Sequence, residues 1–207
     1  MAAGSSSDVV IIDSGGANLA SLCFALDRLG ASSEVTTSAE RIRAAPRVLL
    51  PGVGAAEDAM RRLADAGLVD VIPQLTQPLL GICLGMQLLF TASAESHDGA
   101  QTACLGILPG TVALLPGSPA TPVPHMGWNR RETRLEDPLF DGLGEHEYFY
   151  FVHSYAAPLA DFTLAATDYG KPFSAAVRRR NFRGVQFHPE RSARAGARLL
   201  ANFLRMQ

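Results

Sequence analysis

Through the first half of the chain, apolar positions come in short unbroken runs rather than in alternation. Residues 8–13 (DVVIID) form such a run with acidic ends, followed by Ser14-Gly15-Gly16-Ala17-Asn18 and a helical pattern through Leu22, Ala25, Leu26 and Leu29 that stops at Gly30. The unit repeats: 34–37 predicts a strand before a short helix, and 47–50 (RVLL) a buried strand ending at Pro51-Gly52-Val53-Gly54. Residues 55–66 and 69–75 read as helical, and the apolar run 79–83 leads directly into a predicted helix over 84–90. Near-continuous apolar strands separated by helices are what a parallel sheet covered on both faces requires.

After Gly99 the texture changes to β-rich segments broken by Pro and Gly, at 111–115, 147–152, 162–167, 174–179 and 182–187. These predict antiparallel strands and hairpins added to the same sheet, closed by a helix over about 193–206. The expected fold class is α/β: a mainly parallel central sheet with helices on both faces and antiparallel strands in the C-terminal half. A length of 207 residues suits one domain over 1–207.

Composition narrows the function classes without choosing one. With 47% hydrophobic and 18% charged residues and a net charge of −2, no basic stripe calls for a nucleic-acid backbone. The opening 1–7 has neither a positive flank nor an apolar stretch and is expected to be a disordered lead-in; no run approaches bilayer length. A cytoplasmic protein is expected. Three cysteines, Cys23, Cys83 and Cys104, at irregular spacing argue against a disulfide framework and offer no metal pairing, so neither metal nor cofactor is expected.

The sharpest local signal is Gly81-Ile82-Cys83-Leu84-Gly85. A nucleophile between two glycines where an apolar strand meets a helix is the pattern of a nucleophile elbow, whose tight turn strains the nucleophile's backbone and leaves no room for flanking side chains. The following helix N-terminus favours thiolate, and the Leu84 N–H points where an oxyanion forms. A buried structural cysteine is the alternative, and it is the reading given to Cys23 and Cys104. A cysteine nucleophile needs a base, and the base needs an orienting group. Gln186-Phe187-His188-Pro189-Glu190 supplies both: Pro189 ends the strand and Glu190 can curl back to the His188 imidazole. In isolation the same residues would read as a surface histidine beside a solvated glutamate. His97 and His146 lie in polar sequence, and His125 and His153 show no metal-ligand spacing. Pro51-Gly52-Val53-Gly54 either presents a second backbone N–H to the same pocket, at the carboxyl end of its strand, or is a plain glycine turn.

Together these motifs resemble the class I glutamine amidotransferases, in order and spacing, over nearly the whole chain. The resemblance implies a flavodoxin-like fold in which Cys83 attacks the glutamine side-chain amide, His188 transfers protons and Glu190 orients His188. It further implies that Leu84 and the Gly52-Val53 segment supply oxyanion donors and that Gln87, Ser154 and Tyr155 line the glutamine pocket. Asp13-Ser14-Gly15-Gly16-Ala17-Asn18-Leu19, the loop Pro124-His125-Met126-Gly127-Trp128-Asn129 and 148–155 (YFYFVHSY) resemble one branch of the family, the glutaminases serving imidazole glycerol phosphate synthase. That likeness implies a heterodimer with a (β/α)₈-barrel cyclase subunit, contacted through Asn18, Trp128 and Arg191. Ser14 stands where a larger polar residue such as asparagine is expected, and Arg191 where lysine is frequent. Glutaminase subunits of anthranilate, aminodeoxychorismate or pyridoxal phosphate synthase would show a similar triad, but are not expected to carry the 124–129 stretch. A non-catalytic scaffold would be expected to lack one of the three triad residues, and a cysteine protease to show a peptide groove. Val53 is β-branched where a freely turning loop would favour glycine, so the second oxyanion donor is expected to need a partner to hold it.

Overall fold

The computed structural model describes residues 7–15, 19–96 and 99–207. Residues 1–6 of the expected lead-in, the end of the first glycine turn with Asn18, and His97 lie outside the described residues.

Strands β1 (Val9–Ile12), β2 (Ser33–Thr36), β3 (Val48–Gly52) and β4 (Leu79–Cys83) alternate with helices α1 (Leu19–Asp27), α2 (Ala39–Ala44), α3 (Ala56–Asp65) and α4 (Leu84–Gln87). Then follow β5 (Phe90–Ser93), β6 (Thr102–Ala103), β7 (Leu108–Leu114), β8 (His125–Arg130), β9 (Glu132–Thr133) and β10 (Tyr148–His153). The chain closes with β11 (Tyr155–Ala156), β12 (Thr163–Asp168), β13 (Pro172–Arg179), β14 (Phe182–Val185) and helix α5 (Ala193–Phe203).

Eight strands build the main sheet in the order β2-β1-β3-β4-β14-β13-β12-β9. The first five run parallel, and β13, β12 and β9 continue antiparallel. Burial on both faces explains the unbroken apolar runs: along β1, Val9 and Ile11 point into one core while Val10 and Ile12 point into the other. Leu22 and Leu26 of α1 and Leu199, Leu200 and Phe203 of α5 cover the first face. Ile42 of α2 and Ala59 and Leu63 of α3 cover the second. No helix among the described residues is long and apolar enough to cross a membrane.

Four expectations are corrected. Residues 69–75 hold only a single 3-10 turn, Ile72–Gln74, because Pro73 lacks the N–H that a longer helix would use. The helix expected over 84–90 ends at Gln87: Leu88, Leu89 and Phe90 are each 0% exposed, apolar on every side, and Phe90 opens β5. The added strands do not all join one sheet: β14 is parallel to β4, β11-β7-β5-β6 form a sheet of their own, and β8 pairs with β10 in another. The 124–129 stretch, expected as a loop, is mostly strand β8. Its alternation is inverted, with His125 buried and Met126 and Trp128 facing out, so hydropathy hides it.

Candidate active site

Three neighbouring parallel strands, β3, β4 and β14, end at one edge of the sheet, and the chain just past each end faces a common cavity. Carboxyl ends of parallel strands are where open α/β sheets bind ligands. Cys83 closes β4 with φ 54° and ψ −113°, a positive φ that a side-chain-bearing residue adopts only when its surroundings impose it. The tight packing of the turn against β3 imposes it, and the flanking glycines permit that packing. A Cβ on Gly81 would lie 2.7 Å from the Gly85 carbonyl oxygen, and one on Gly85 would lie 2.7 Å from the Leu50 carbonyl carbon and nearer still to its oxygen. The elbow therefore closes only with glycine at both positions. Cys83 is 6% exposed; its sulfur lies 3.8 Å from Gln186 Nε2 and 3.9 Å from the Val152 carbonyl oxygen.

His188 is held by its backbone. Its N–H donates to the Tyr150 carbonyl at 2.9 Å, and its carbonyl accepts from the Ser192 hydroxyl at 2.7 Å. Ser192 Oγ in turn accepts from the Tyr150 N–H at 2.9 Å, which locks the segment to β10. Pro189 opens the 3-10 turn Pro189–Arg191, and the turn returns Glu190 Oε1 to 2.8 Å from His188 Nδ1. Since a carboxylate accepts, Nδ1 carries the hydrogen and Nε2 is the atom left to exchange protons. Nε2 is buried and makes no hydrogen bond, as is true of Glu190 Oε2. Burial opposes charge on His188, but the neighbouring Cys83 sulfur and Glu190 outweigh it and lift its pKa to about 10.

The cavity in front of Cys83 measures about 480 Å³. Val53, Gln87, Ser154 and Tyr155, each named from the sequence, line it together with Cys83, Leu84 and His188. Gly52 sits opposite Cys83 in the β3–β4 register, and Leu84 is the first residue of α4. Gln87 is 4% exposed and commits its amide nitrogen to the Tyr155 carbonyl and Gln186 Oε1, each at 2.9 Å, so it braces the cavity wall. Ser14 is fully buried and donates to the Pro51 carbonyl at 2.6 Å, tying the end of β1 to the end of β3. A small hydroxyl here serves the inside of the protein.

Two contributors escaped the sequence reading. Gln186, in sequence no more than the residue that opens the Gln186-Phe187-His188-Pro189-Glu190 stretch, bridges Gln87 and Cys83. Glu95 lines the cavity and accepts from the Ala56 N–H at the start of α3, at 3.1 Å. Nothing in its local sequence marks it, since only the β5 fold-back brings it there. Trp128 and Arg191 meet on one outer face: the Arg191 guanidinium lies 4.5 Å from the Tyr150 ring, and Trp128 packs edge-on against the same ring at 5.9 Å. Trp128 is 52% and Met126 63% exposed. Among the described residues no cluster of His, Cys, Asp and Glu could hold a metal ion.

The family model described as glutamine amidotransferase class-I matches residues 10–206. The chain is 50% identical to the imidazole glycerol phosphate synthase subunit HisH of Shewanella loihica, covering 98% of this chain and 92% of that one. It is 48% identical to the same-named subunit of Vibrio cholerae, over 96% and 98%. Among solved structures, a protein described as a glutamine amidotransferase superposes with TM-score 0.71 at 20% identity, over 95% of this chain and 96% of that one. The structure described as PurLQS from Thermotoga maritima superposes with TM-score 0.69 at 18% identity, over the same shares.

Proposed function

The chain belongs to the class-I glutamine amidotransferase family, and from that premise we infer that it is the glutaminase subunit of imidazole glycerol phosphate synthase. It hydrolyses glutamine to glutamate and ammonia, and the ammonia serves the synthase reaction of histidine biosynthesis. The observation that carries the residue assignment is the convergence of Cys83, the His188–Glu190 pair and a cavity of about 480 Å³ at three adjacent strand ends.

In the proposed mechanism the Cys83 thiolate attacks the side-chain amide carbon of glutamine. The carbonyl π electrons move to oxygen, where the backbone N–H groups of Leu84 and of the Gly52-Val53 segment stabilise the oxyanion. Collapse breaks the C–N bond; His188 gives its Nε2 proton to the departing nitrogen, leaving ammonia and a thioester. His188 then takes a proton from water, hydroxide adds to the thioester, and glutamate leaves as the Cys83–carbon bond breaks. Glu190 holds the imidazole by its Nδ1–H throughout. Gln87, Ser154 and Tyr155 form the wall against which glutamine lies. Two backbone donors and a preset base contribute several kcal/mol each to lowering the barrier, the scale amide hydrolysis at neutral pH requires.

The partner is a cyclase subunit, in this proposal a (β/α)₈ barrel forming a heterodimer. The outward face of β8 and β10, with Trp128 and Met126 exposed and Arg191 over the Tyr150 ring, is the proposed docking surface; Asn18, outside the described residues, is assigned to the interface from the sequence resemblance alone. The cytoplasm is the proposed compartment, on the sequence argument that three irregularly spaced cysteines form no disulfide framework. Val53 stiffens the loop that presents the second oxyanion donor, so the isolated subunit is a weak glutaminase until the partner sets that loop. Glutamate release by the chain alone, and with cyclase and its ribotide ligand, tests both points. Strong stimulation that Cys83→Ala abolishes is the expected result. Equal rates with and without the cyclase refute the activation, and activity surviving Cys83→Ala refutes the mechanism.

A further inference from the structure

Two buried histidines take no part in that chemistry. His125 of β8 and His153 of β10 stand opposite each other in the two-stranded sheet and are 3% and 6% exposed. His153 Nδ1 lies 2.9 Å from the Tyr155 carbonyl oxygen, and a carbonyl only accepts, so Nδ1 carries a hydrogen. Burial holds both rings neutral, pushing the pKa of His125 down to about 4 and that of His153 to about 3. A neutral His153 then offers a bare Nε2. His125 Nδ1, at 3.2 Å, must be its donor. That leaves His125 Nε2 as acceptor for Asn129 Nδ2 at 3.4 Å, while the same amide nitrogen donates to the Asp168 carbonyl at 3.0 Å. The tautomers are thus set by carbonyl acceptors, and the hydrogens all point one way, from Asn129 through His125 and His153 to Tyr155.

The chain of bonds does not stop there. The Tyr155 carbonyl also accepts from Gln87, Gln87 donates its second hydrogen to Gln186, and Gln186 contacts the Cys83 sulfur. Tyr155 is at once a wall of the glutamine cavity and the joint of two hydrogen-bonded arms.

The geometry points to His125 and His153 as positioning residues for glutamine: they fix the Tyr155 carbonyl, and with it the Ser154-Tyr155 wall, relative to Cys83. The assignment rests on the glutaminase reading above. His153 borders the cavity and His125 is not among its lining residues; neither ring is assigned a proton transfer, and their work is to hold a donor toward a carbonyl that the cavity cannot let drift.

Packing and hydrogen bonding at His125 can be separated. The ring stacks on Tyr169 at 4.0 Å and on Phe151 at 4.9 Å. His125→Phe keeps the stack and removes both nitrogens, whereas His125→Asn keeps a donor near the Nδ1 position and gives up the stack. With the cyclase complex, His125→Phe is expected to raise the glutamine KM about tenfold with kcat changed less than about twofold, and His125→Asn to stay nearer wild type. Melting temperatures should run in the opposite order, with the Asn variant lower. A His125→Phe, His153→Phe double variant should be no worse in KM than the worse single one, as expected for members of one network. A KM that follows the melting order, or a His125→Phe variant with wild-type KM, overturns the inference. A wild-type complex that releases no glutamate overturns the glutaminase reading itself, so the two failures are distinct.

Discussion

The elbow glycines give a graded perturbation whose size follows from the packing. A methyl group at Gly85 would sit 2.7 Å from the Leu50 carbonyl carbon, against the 3.4 Å at which ordinary contact begins, and closer again to the oxygen. Backbone must therefore separate by at least about 0.7 Å, and α4 or β3 must move, because neither partner is a flexible side chain end. Both choices displace the reacting geometry, since α4 carries Leu84 and β3 leads into Gly52 and Val53. Overpacking of this kind costs about 1 to 3 kcal/mol. At about 2 to 4 °C per kcal/mol for a chain of this length, Gly85→Ala should melt roughly 2 to 12 °C lower. A misplacement approaching an ångström costs about a hundredfold in rate, so kcat/KM for glutamine in the cyclase complex should fall about 30- to 100-fold. Gly144→Ala is the control, with no atom within 4 Å of the added carbon; it should lie within about 0.5 kcal/mol of wild type. Steady-state glutamate release and differential scanning calorimetry read both quantities. Gly85→Ala with the wild-type rate and melting temperature would refute the claim that the elbow depends on these close approaches.

Other consequences follow from the ionisable groups. Cys83 raises the pKa of His188, so in Cys83→Ala the imidazole should titrate below its value of about 10, with Glu190 still holding it up; nitrogen-15 NMR of labelled histidine reads this, and an unmoved titration would contradict the coupling. Glu190→Gln should lower kcat by at least about tenfold with little change in KM, since orientation of the base acts after binding; a pure KM effect would argue against that role. His125 and His153 titrate lower folded than the ordinary value near 6.5, so the unfolded chain binds more protons between those limits, and the stability they contribute is present above about 6.5 and lost as pH falls toward 4 and 3. His188, shifted upward, has the opposite sign and remains stabilising through that acid range. Urea unfolding at pH 7 and 5 should therefore show wild type losing about 1 to 2 kcal/mol more than His125→Phe over that interval, and equal losses would sink the assignment.

Sequence made some of this visible and concealed the rest for physical reasons. The parallel strands could be read because burial on both faces demands apolar residues at every position, as in 9–12 and 79–83. The elbow could be read because only glycine fits beside Cys83, and the His188 turn because a proline ends the strand at a fixed place. Strand β8 could not, since it turns Met126 and Trp128 outward and its histidine inward. The helix over 84–90 was overestimated because an all-round apolar segment has no helical stripe to distinguish it from a buried strand. Gln186, Glu95 and the His125–His153 pair owe their place to pairing between distant strands, with Gln186 lying 99 residues from Gln87, and no local pattern encodes such a distance.

The most direct test of the central claim is to incubate the cyclase complex with a glutamine analogue bearing an electrophilic diazoketone and map the adduct by peptide mass spectrometry. The account predicts one covalent label, on Cys83, with Cys23 and Cys104 unmodified, formed in parallel with the loss of glutamate release and suppressed when excess glutamine competes. A label on another residue, or full inactivation with Cys83 unmodified, would contradict it.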